Sequence, residues 1–347
     1  MTVAIVGAGA AGAAIAYALR DADADVTVFE KSRGVCGRAA TRRKEGCRYD
    51  YGANYVKDDD ERVTRLLTEE LDTNGLVEVE EPVWTFDSAG EISPGRDSDE
   101  RKWTYEDGIT QLAKRLFAAT DATVQRETRV ETVAREEGRW SLADAADTVL
   151  GSFDTVVLTP PAPQTAELLA AMAWDDDRRV AAHDAVAAVD YASVFTAVLH
   201  YPFTLDRSWY ALIDTDGEHP VGWLAREELK PGHVPEGESL LVAQMGHDWS
   251  GDRIDDDRDQ VLREAVGHVA ELLDDDRFAA PDWTDRQGWR YALPDGGVTG
   301  DAHRSTEDAG LYFAGDWVAG EARVHAALRN GFAVGERIVE ARNAKTY

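Results

Sequence analysis

The first thirty residues alternate between short apolar runs and turn-forming residues. Thr2–Val6 is a β-branched apolar run, and Ala10–Arg20 is a stretch of small apolar residues of helical length. Val26–Phe29 is a second β-rich run, which ends at Glu30. Because β-branched residues favour strands and glycine marks tight turns, the pattern predicts strand, turn, helix and strand. This is the order of a βαβ unit in a parallel sheet.

The glycines between the first strand and the helix have the spacing of a phosphate-binding turn. Gly7, Gly9 and Gly12 form G-x-G-x-x-G. Gly7 permits the tight turn, Gly9 lets the backbone approach a pyrophosphate, and Gly12 lets the helix pack on the strand. Glu30 then stands where an acid accepts hydrogen bonds from a ribose. We interpret the unit as an adenine-dinucleotide site rather than a chance glycine-rich turn.

A second glycine turn follows Glu30 directly. Lys31–Arg43 contains Gly37-Arg38, for which a plain NAD domain has no use at this point. The segment resembles the E-K-x-x-x-x-G-G-R-x-x-T motif of amine-oxidase-like flavoproteins, with Cys36 in place of one glycine. Asp50–Tyr55 is similar to their D-x-G-A-x-Y motif. The resemblance implies FAD as the cofactor. We expect it to be bound non-covalently, because no cysteine that could link the flavin is evident near the C-terminus.

The C-terminal half resembles the renalase-like FAD-dependent oxidoreductases. Trp289–Pro294 is similar to their W-R-Y-A-x-P motif. Trp223–His233 is similar to W-[IL]-A-R-N-x-x-K-P-G-R, from which Glu227 and His233 depart. The segment His325–Gly331 departs from the family's E-G-A-x-x-S-G.

The resemblance also implies roles for the last elements. Gly310–Trp317 is a predicted strand that ends in Gly315-Asp316, where Asp316 would bond the ribityl or pyrophosphate part of FAD. The predicted helix Arg323–Arg337 would point its positive end at the flavin edge. Thr128–Val133 resembles the strand whose backbone meets adenine, and an ordinary edge strand is the alternative.

Together the motifs and the resemblance predict two sets of site residues. The predicted FAD contacts are Gly7, Gly9, Ala10, Ala11, Gly12, Glu30, Lys31, Gly37, Arg38, Gly52, Ala53, Asn54, Val130, Gly315, Asp316, Val324 and Ala327. The predicted catalytic or substrate-facing residues are His325, Trp289, Arg290 and Tyr291. A helix-capping or surface histidine is the alternative for His325, and aromatic core packing is the alternative for Trp289 and Tyr291.

The remaining pattern predicts a second lobe. Ser193–Tyr201 alternates as a strand and is predicted to pair across a turn with Trp209–Ile213, while Asp257–Leu273 is an amphipathic helix. We therefore expect an α/β fold with a Rossmann-like FAD-binding lobe (1–57, 106–165 and 299–347). The second lobe, a mostly antiparallel sheet with a helix (58–105 and 166–298), would hold the substrate.

Charge narrows the range of partners. The 347 residues contain 66 Asp and Glu against 37 Lys and Arg, a net charge of −29, and the acids are dispersed. Nucleic acids and anionic membranes are poor partners for such a surface. We interpret it as an adaptation to high salt, with an ordinary acidic mesophilic enzyme as the alternative.

One stretch is basic against this background. Seven basic residues between 31 and 48 form a basic island: Lys31, Arg33, Arg38, Arg42, Arg43, Lys44 and Arg48. A bound polyanion would explain it, part of it the FAD pyrophosphate and part a phosphorylated substrate held by Arg42, Arg43 and Arg290. Pairing with surface acids is the alternative.

The cysteines and apolar runs exclude other classes. Cys36 and Cys47 are too few for a disulfide scaffold and fit a reducing, cytoplasmic compartment. Cys36 is interpreted as a packed thiol and not as a redox partner of Cys47. No Cys/His spacing typical of zinc is present, and no stretch reads as a membrane span.

The resemblance implies an oxidase of isomeric (2- or 6-) dihydronicotinamide dinucleotides, by hydride transfer to flavin N5 with O₂ as acceptor. Such a reaction requires no side-chain base. An amine or polyamine oxidase or a desaturase of the same fold is one alternative. A non-catalytic flavin-binding protein is another.

Overall fold

The computed structural model describes residues 1–95 and 100–346. The strands are β1 (Thr2–Val6), β2 (Asp25–Phe29), β3 (Thr41–Lys44), β4 (Cys47–Asp50), β5 (Val56–Lys57), β6 (Leu76–Glu78), β7 (Val83–Phe86), β8 (Ile92–Ser93), β9 (Lys102–Tyr105), β10 (Thr123–Gln125), β11 (Thr132–Glu136), β12 (Arg139–Ala143), β13 (Val149–Phe153), β14 (Thr155–Leu158), β15 (Tyr191–Tyr201), β16 (Ala211–Asp214), β17 (Val221–Arg226), β18 (Ser239–Met245), β19 (Trp283–Pro294) and β20 (Leu311–Phe313). The helices are α1 (Ala10–Ala18), α2 (Glu61–Arg65), α3 (Gln111–Ala118), α4 (Ala162–Ala171), α5 (Asp177–Ala187), α6 (His247–Arg253), α7 (Arg258–Leu273), α8 (Asp316–Ala319) and α9 (Val324–Thr346).

A five-stranded parallel sheet forms the core of the first lobe. Its order is β10-β2-β1-β14-β20, so strands from both ends of the chain are neighbours. The four residues of β14 are all buried, as expected for an apolar strand covered on both faces. The predicted Rossmann-like lobe is confirmed.

Helices α1 and α9 cross closely on this sheet. A Cβ added to Gly331 of α9 would lie 2.5 Å from the Ala11 carbonyl oxygen and 2.8 Å from the Ala14 Cβ. The alanines of α1 and this glycine therefore allow the two backbones to touch. As a result, the first turn of α9 is fixed relative to the glycine turn before α1.

The second lobe is built on a seven-stranded sheet. Its order is β19-β15-β18-β17-β16-β7-β8, and its pairs are antiparallel except β16 with β7. Leu199, Leu241 and Leu224 share one face and pack against apolar residues of α7 in one core. The opposite face carries Val198 and Val242, which pack against Tyr49 of β4 in another core. This sheet with its helix confirms the predicted fold class.

Some local predictions are wrong. The predicted partner of β15 lies elsewhere: β16 pairs with β17 and β7, because β18 and β19 already occupy both edges of β15. The strand expected at Thr128–Val133 begins at Thr132. The W-R-Y-A-x-P segment, for which no helix or strand was predicted, is the end of the long strand β19.

The predicted lobe boundaries stay a prediction. The strands of the parallel sheet fall inside the first set of ranges, and those of the seven-stranded sheet fall inside the second. The small sheet β5-β9-β6 crosses the boundary after residue 57. Residues 96–99, in the turn-rich part of range 58–105, lie outside the described residues. No described helix is long and apolar enough to cross a bilayer.

We expect Gly331→Ala to lower the free energy of unfolding by about 1–3 kcal/mol, because the new methyl group overpacks the crossing of α1 and α9. Gly267→Ala in α7 is the matched control, since a Cβ there meets nothing within 4 Å. That helical substitution should stabilise the protein by roughly 0.5–1 kcal/mol. Denaturant unfolding measures both changes. Equal stabilities of the two variants would contradict the close crossing.

Candidate FAD and substrate site

The glycine turn before α1 is shaped to receive a ligand. Gly7 has φ +105°, and a Cβ on it would lie 2.4 Å from Thr159 Oγ1. A Cβ on Gly12 would lie 2.1 Å from the Gly7 carbonyl oxygen, whereas one on Gly9 would meet nothing within 4 Å. The Gly9 side of the turn is thus open. Helix α1 begins there without a side-chain cap, which leaves its N–H groups for a phosphate.

Glu30 organises the ribose end of the candidate site. One carboxylate oxygen accepts the Ala8 N–H at 2.8 Å, and the other accepts the Ser32 N–H at 2.8 Å. An ionised carboxylate has about four acceptor positions, so capacity for ribose hydroxyls is left. The Thr128 N–H donates to the Glu30 carbonyl at 2.9 Å, which brings the extended segment with the buried Val130 beside it.

The second glycine turn lies against the first. A Cβ on Gly37 would be 3.3 Å from the Gly9 Cα, and the Cys36 N–H donates to the Ala8 carbonyl at 2.8 Å. Cys36 has φ +80°, a left-handed conformation that suits the glycine of the resembling motif. Burial raises the pKa of its thiol to about 12, and both cysteines are free. Cys36 is therefore a packed, unreactive thiol.

Arg38 joins three of the predicted motifs. Its guanidinium pairs with Asp316 at 2.7 Å and donates to the Ala292 carbonyl of β19 at 2.7 Å. The Arg38 carbonyl accepts the Ala53 N–H at 3.0 Å. A Cβ on Gly52 would lie 1.9 Å from that same oxygen, so only glycine fits there.

Side chains donate hydrogen bonds to three backbone carbonyls of the segment 50–54. Asn54 Nδ2 donates to the Asp50 carbonyl at 2.7 Å, and Trp289 Nε1 donates to the Tyr51 carbonyl at 3.1 Å. Gln244 Nε2 of β18 donates to the Gly52 carbonyl at 2.5 Å. Both lobes therefore hold this predicted FAD segment.

The C-terminal part of the candidate site follows β20. The Gly315 N–H donates to Asn330 Oδ1 of α9 at 3.0 Å, and the Trp317 N–H donates to Asp316 Oδ1 at 2.9 Å. Val324 and Ala327 lie partly buried in the first turn of α9. His325 is buried, and its Nε2 lies 3.1 Å from Glu321 Oε1. This contact with Glu321 favours a structural role for His325, which was the alternative to a catalytic one.

The residues of the W-R-Y-A-x-P segment separate to two faces of β19. Trp289 stacks on Tyr51, with ring centroids 5.4 Å apart, and Tyr291 meets Tyr191 edge-on at 5.8 Å. Arg290 lies on the other face, half exposed, and pairs with Asp255. Because side chains alternate along a strand, Arg290 points away from Trp289 and Tyr291, although all three were predicted to face the substrate.

Most of the basic island is paired inside the protein. Arg42 pairs with Asp285 at 3.0 Å and lies over the Tyr51 ring at 4.1 Å. Arg43 and Arg48 both lie near Asp107, at 3.5 and 3.2 Å. Lys31 and Lys44 donate to Gln164 and to the Thr284 carbonyl. The alternative interpretation, pairing within the protein, therefore accounts for most of these charges.

The structure also assembles groups that sequence reasoning missed. A groove of about 520 Å³ is lined by Tyr191, Ala192, Ser193, His247, Asp248, Gly251 and Asp252. Ligand atoms of Cys47, His200 and Glu238 lie within 4.8 Å of one another, although no spacing in the sequence signals it. Asp50, Glu227, Lys230 and His233 form a fully buried charge cluster. The two departures from the resembling motif, Glu227 and His233, were the only signal for that cluster.

The fold and the candidate FAD site define a FAD-dependent oxidoreductase. We call this site the cradle; it consists of the two glycine turns, Glu30, segment 50–54 and Asp316. Residues 5–69 match the model of an NAD(P)-binding Rossmann-like domain, and residues 91–339 match that of the flavin-containing amine oxidoreductases. The second match covers most of the chain, so the protein belongs to the flavin-containing amine oxidoreductase family.

Several solved structures share the fold. A putative protoporphyrinogen oxidase from Exiguobacterium sp. 255-15 is 16% identical, with a TM-score of 0.76 over 97% of this chain and 98% of that one. A wild-type putrescine oxidase bound to putrescine is 16% identical, with a TM-score of 0.73 over 98% and 99%. Cyclohexylamine oxidase from Brevibacterium oxydans IH-35A is 14% identical, with a TM-score of 0.74 over 99% of each chain. At these identities the likeness establishes the fold.

The cradle fits FAD, the cofactor of this family. The open side of Gly9 and the uncapped start of α1 suit the pyrophosphate, and the spare acceptor positions of Glu30 suit the ribose. Asp316 is buried and keeps its second oxygen for a donor. The individual FAD contacts stay predictions.

We expect Glu30→Ala and Asp316→Ala each to weaken FAD binding by about tenfold or more, since each removes charge-assisted hydrogen bonds of roughly 1.5–3 kcal/mol. Titration of the apoproteins with FAD measures the effect. Asp25→Ala, at the exposed start of β2, is the control and should bind FAD normally. Unchanged affinity in both site variants would refute the assignment.

Proposed function

We propose that this oxidase is renalase-like and takes a hydride from a dihydronicotinamide dinucleotide reduced at ring position 2 or 6. FAD, when bound, would supply the hydride acceptor at N5; O₂ would then take the two electrons, the transferred hydrogen and one proton from water to form hydrogen peroxide. The chain's own contribution is to bind the donor ring flat at roughly 3–3.5 Å from the acceptor atom and to exclude water.

The observation that carries the proposal is a row of neutral side chains on the face of the second sheet that lies opposite segment 50–54. Its register places Gln287, Thr196, Gln244 and Trp223 in one row across four adjacent strands. Gln244 and Trp289, on the same face, bond the backbone of segment 50–54. None of these side chains is a base near neutral pH.

The ionisable groups behind that segment are already engaged. Asp50, Glu227, Lys230 and His233 are fully buried and bonded to one another. A dihydronicotinamide gives up a hydride without first losing a proton, whereas a protonated amine must lose one. The described residues around segment 50–54 therefore suit the nicotinamide better.

The donor's own pyrophosphate requires a cation at the mouth of the site. Arg42 donates to Asp285, Gln287 and the Arg286 carbonyl, so its side chain is already used to join β3 to strand β19 of the second lobe. Arg290 is half exposed and its partner Asp255 is more exposed still, so that pair is weak and can exchange. We therefore propose Arg290 for the pyrophosphate, which it would reach around the edge strand β19, from the face opposite Trp289 and Tyr291.

Oxidation of an amine is the second candidate, and the groove beside Tyr191 favours it. Two acids, Asp248 and Asp252, line that groove, and no lysine or arginine does. An acidic groove attracts a cationic substrate. Two structural relatives are named as oxidases of amines, putrescine and cyclohexylamine.

We expect 2- or 6-dihydro-NAD(P) to bleach the flavin far faster than ordinary NADH, spermine or putrescine in anaerobic stopped-flow measurements. Arg290→Ala should slow bleaching by the dinucleotide, because its pyrophosphate loses a cation, and should leave that by a dihydronicotinamide mononucleoside unchanged. Arg263→Ala, an exposed arginine of α7, is the control. Faster bleaching by an amine would transfer the proposal to the second candidate.

We also propose that the chain works at high salt, in the cytoplasm. Two free buried cysteines fit a reducing compartment. The 66 acidic residues outnumber the 37 basic ones, so the negative charges repel one another in dilute buffer, and salt screens that repulsion. The melting temperature should therefore rise between dilute buffer and molar KCl. A flat or falling melting temperature would argue for an ordinary acidic enzyme.

A further inference from the structure

A buried cluster of four charged residues lies at the boundary between the lobes. Lys230 Nζ lies 3.0 Å from Asp50 Oδ2 and 2.6 Å from Glu227 Oε1. Glu227 Oε2 lies 2.8 Å from His233 Nδ1. All four side chains are at most 1% exposed. The ammonium of Lys230 sits between the two carboxylates, where it takes the place that a metal ion would need.

The hydrogen-bond partners of His233 determine its proton count. Its Nδ1 faces the Glu227 carboxylate, and its Nε2 faces the Tyr105 carbonyl at 3.0 Å. A carbonyl oxygen only accepts hydrogen bonds, so His233 Nε2 must carry a proton. The hydrogen bond between Nδ1 and the Glu227 carboxylate needs another proton, which either His233 or Glu227 can carry. Burial alone would raise the pKa of Glu227, but Lys230 and His233 outweigh it and hold that pKa below its usual value. As a carboxylate, Glu227 accepts from His233 Nδ1, from Lys230 and from the Asp50 N–H together, so we place the second proton on His233, and the cluster has two positive and two negative members.

The cluster acts directly on the backbone of the predicted FAD segment. Glu227 Oε2 also accepts the Asp50 N–H at 3.0 Å. The Asp50 carboxylate in turn accepts from the Ile109 N–H at 3.0 Å and from Thr41 Oγ1 at 2.7 Å. Asp50 is the first residue of the segment whose Gly52 and Ala53 contact the Arg38 carbonyl. A displaced Glu227 would therefore release the start of that segment.

We propose that Glu227 and a cationic His233 are positioning residues for FAD: together they fix Asp50, and through it the segment 50–54, against the cofactor. Neither residue touches the cofactor in this role. Glu227 stands where the resembling motif has Asn, and His233 stands where it has Arg. The two replacements lie in contact with each other.

The test compares FAD affinity in Glu227→Gln, His233→Gln and the double variant. Each single variant leaves a buried charge without its partner and should bind FAD roughly tenfold more weakly or worse. The double variant restores the charge balance and should recover part of that loss. Its FAD affinity should therefore exceed that of His233→Gln.

The matched control is His200→Gln. His200 is also buried and lies 2.9 Å from a carboxylate, that of Glu238, but its contacts are with Glu238, Asp282 and Trp283 and not with segment 50–54. Its loss should lower the melting temperature and leave FAD affinity unchanged. If His233→Gln lowered FAD affinity no more than His200→Gln does, the positioning role would be wrong.

A second measurement on the unmutated holoenzyme tests the proton count, even where a variant does not fold. Nitrogen-15 spectra of histidine-labelled protein should show one buried ring with both nitrogens protonated, and Glu227→Gln should shift that signal. A neutral ring at His233 would overturn the cationic assignment. Full FAD affinity in both single variants would overturn the proposal as a whole.

Discussion

The contact on which the rest of the FAD site depends is the one between Arg38 and Asp316. Arg38 follows the second glycine turn, and Asp316 follows the last strand of the parallel sheet. The same guanidinium donates to Ala292 of the second lobe, and the backbone of Arg38 receives segment 50–54. Arg38 thus holds three other parts of the chain, two through its guanidinium and one through its backbone carbonyl. Lysine could not replace it, because only a guanidinium offers several donors in a fixed fork.

The conformation of the backbone explains why glycines surround this contact. Gly52 must lie against the Arg38 carbonyl, and Gly331 against the Ala11 carbonyl, with no room for a Cβ. These positions bring backbones together, and the open side of Gly9 is left for the cofactor. In the cradle, the backbone segments pack directly against one another, and charged side chains such as Arg38 and Asp316 connect the motifs.

The sequence was sufficient for the fold class and for recognising the glycine turns that the structure brings together, because both depend on local pattern. Glycine spacing, β-branched runs and Glu30 are readable without tertiary structure. Arg42 and Arg290 show where such reasoning stops. Asp285, the partner of Arg42, is far away in sequence, and Asp255, the partner of Arg290, lies on another element. The sequence alone therefore does not distinguish a free arginine from a paired one. The same holds for Glu227 and His233, which were readable as two departures from a motif but not as a pair.

The acidic composition gives these pairs a further meaning. With a net charge of −29, a basic residue rarely lacks an acid nearby, and Arg38, Arg42, Arg43 and Arg48 each have one within 3.5 Å. A basic stretch in such a chain is therefore weak evidence for a phosphorylated ligand. The neutral row on the second sheet is the more informative feature for the substrate, since nothing in the composition requires it.

The most direct test of this account is the FAD dissociation constant of Arg38→Lys, measured by titration of the apoprotein. Lysine keeps the charge but cannot reach Asp316 and the β19 carbonyls together. The account predicts affinity at least about tenfold lower, from the loss of charge-assisted hydrogen bonds, with the fold retained. Wild-type affinity in Arg38→Lys would show that charge alone is sufficient at this position and would contradict the junction on which the site depends.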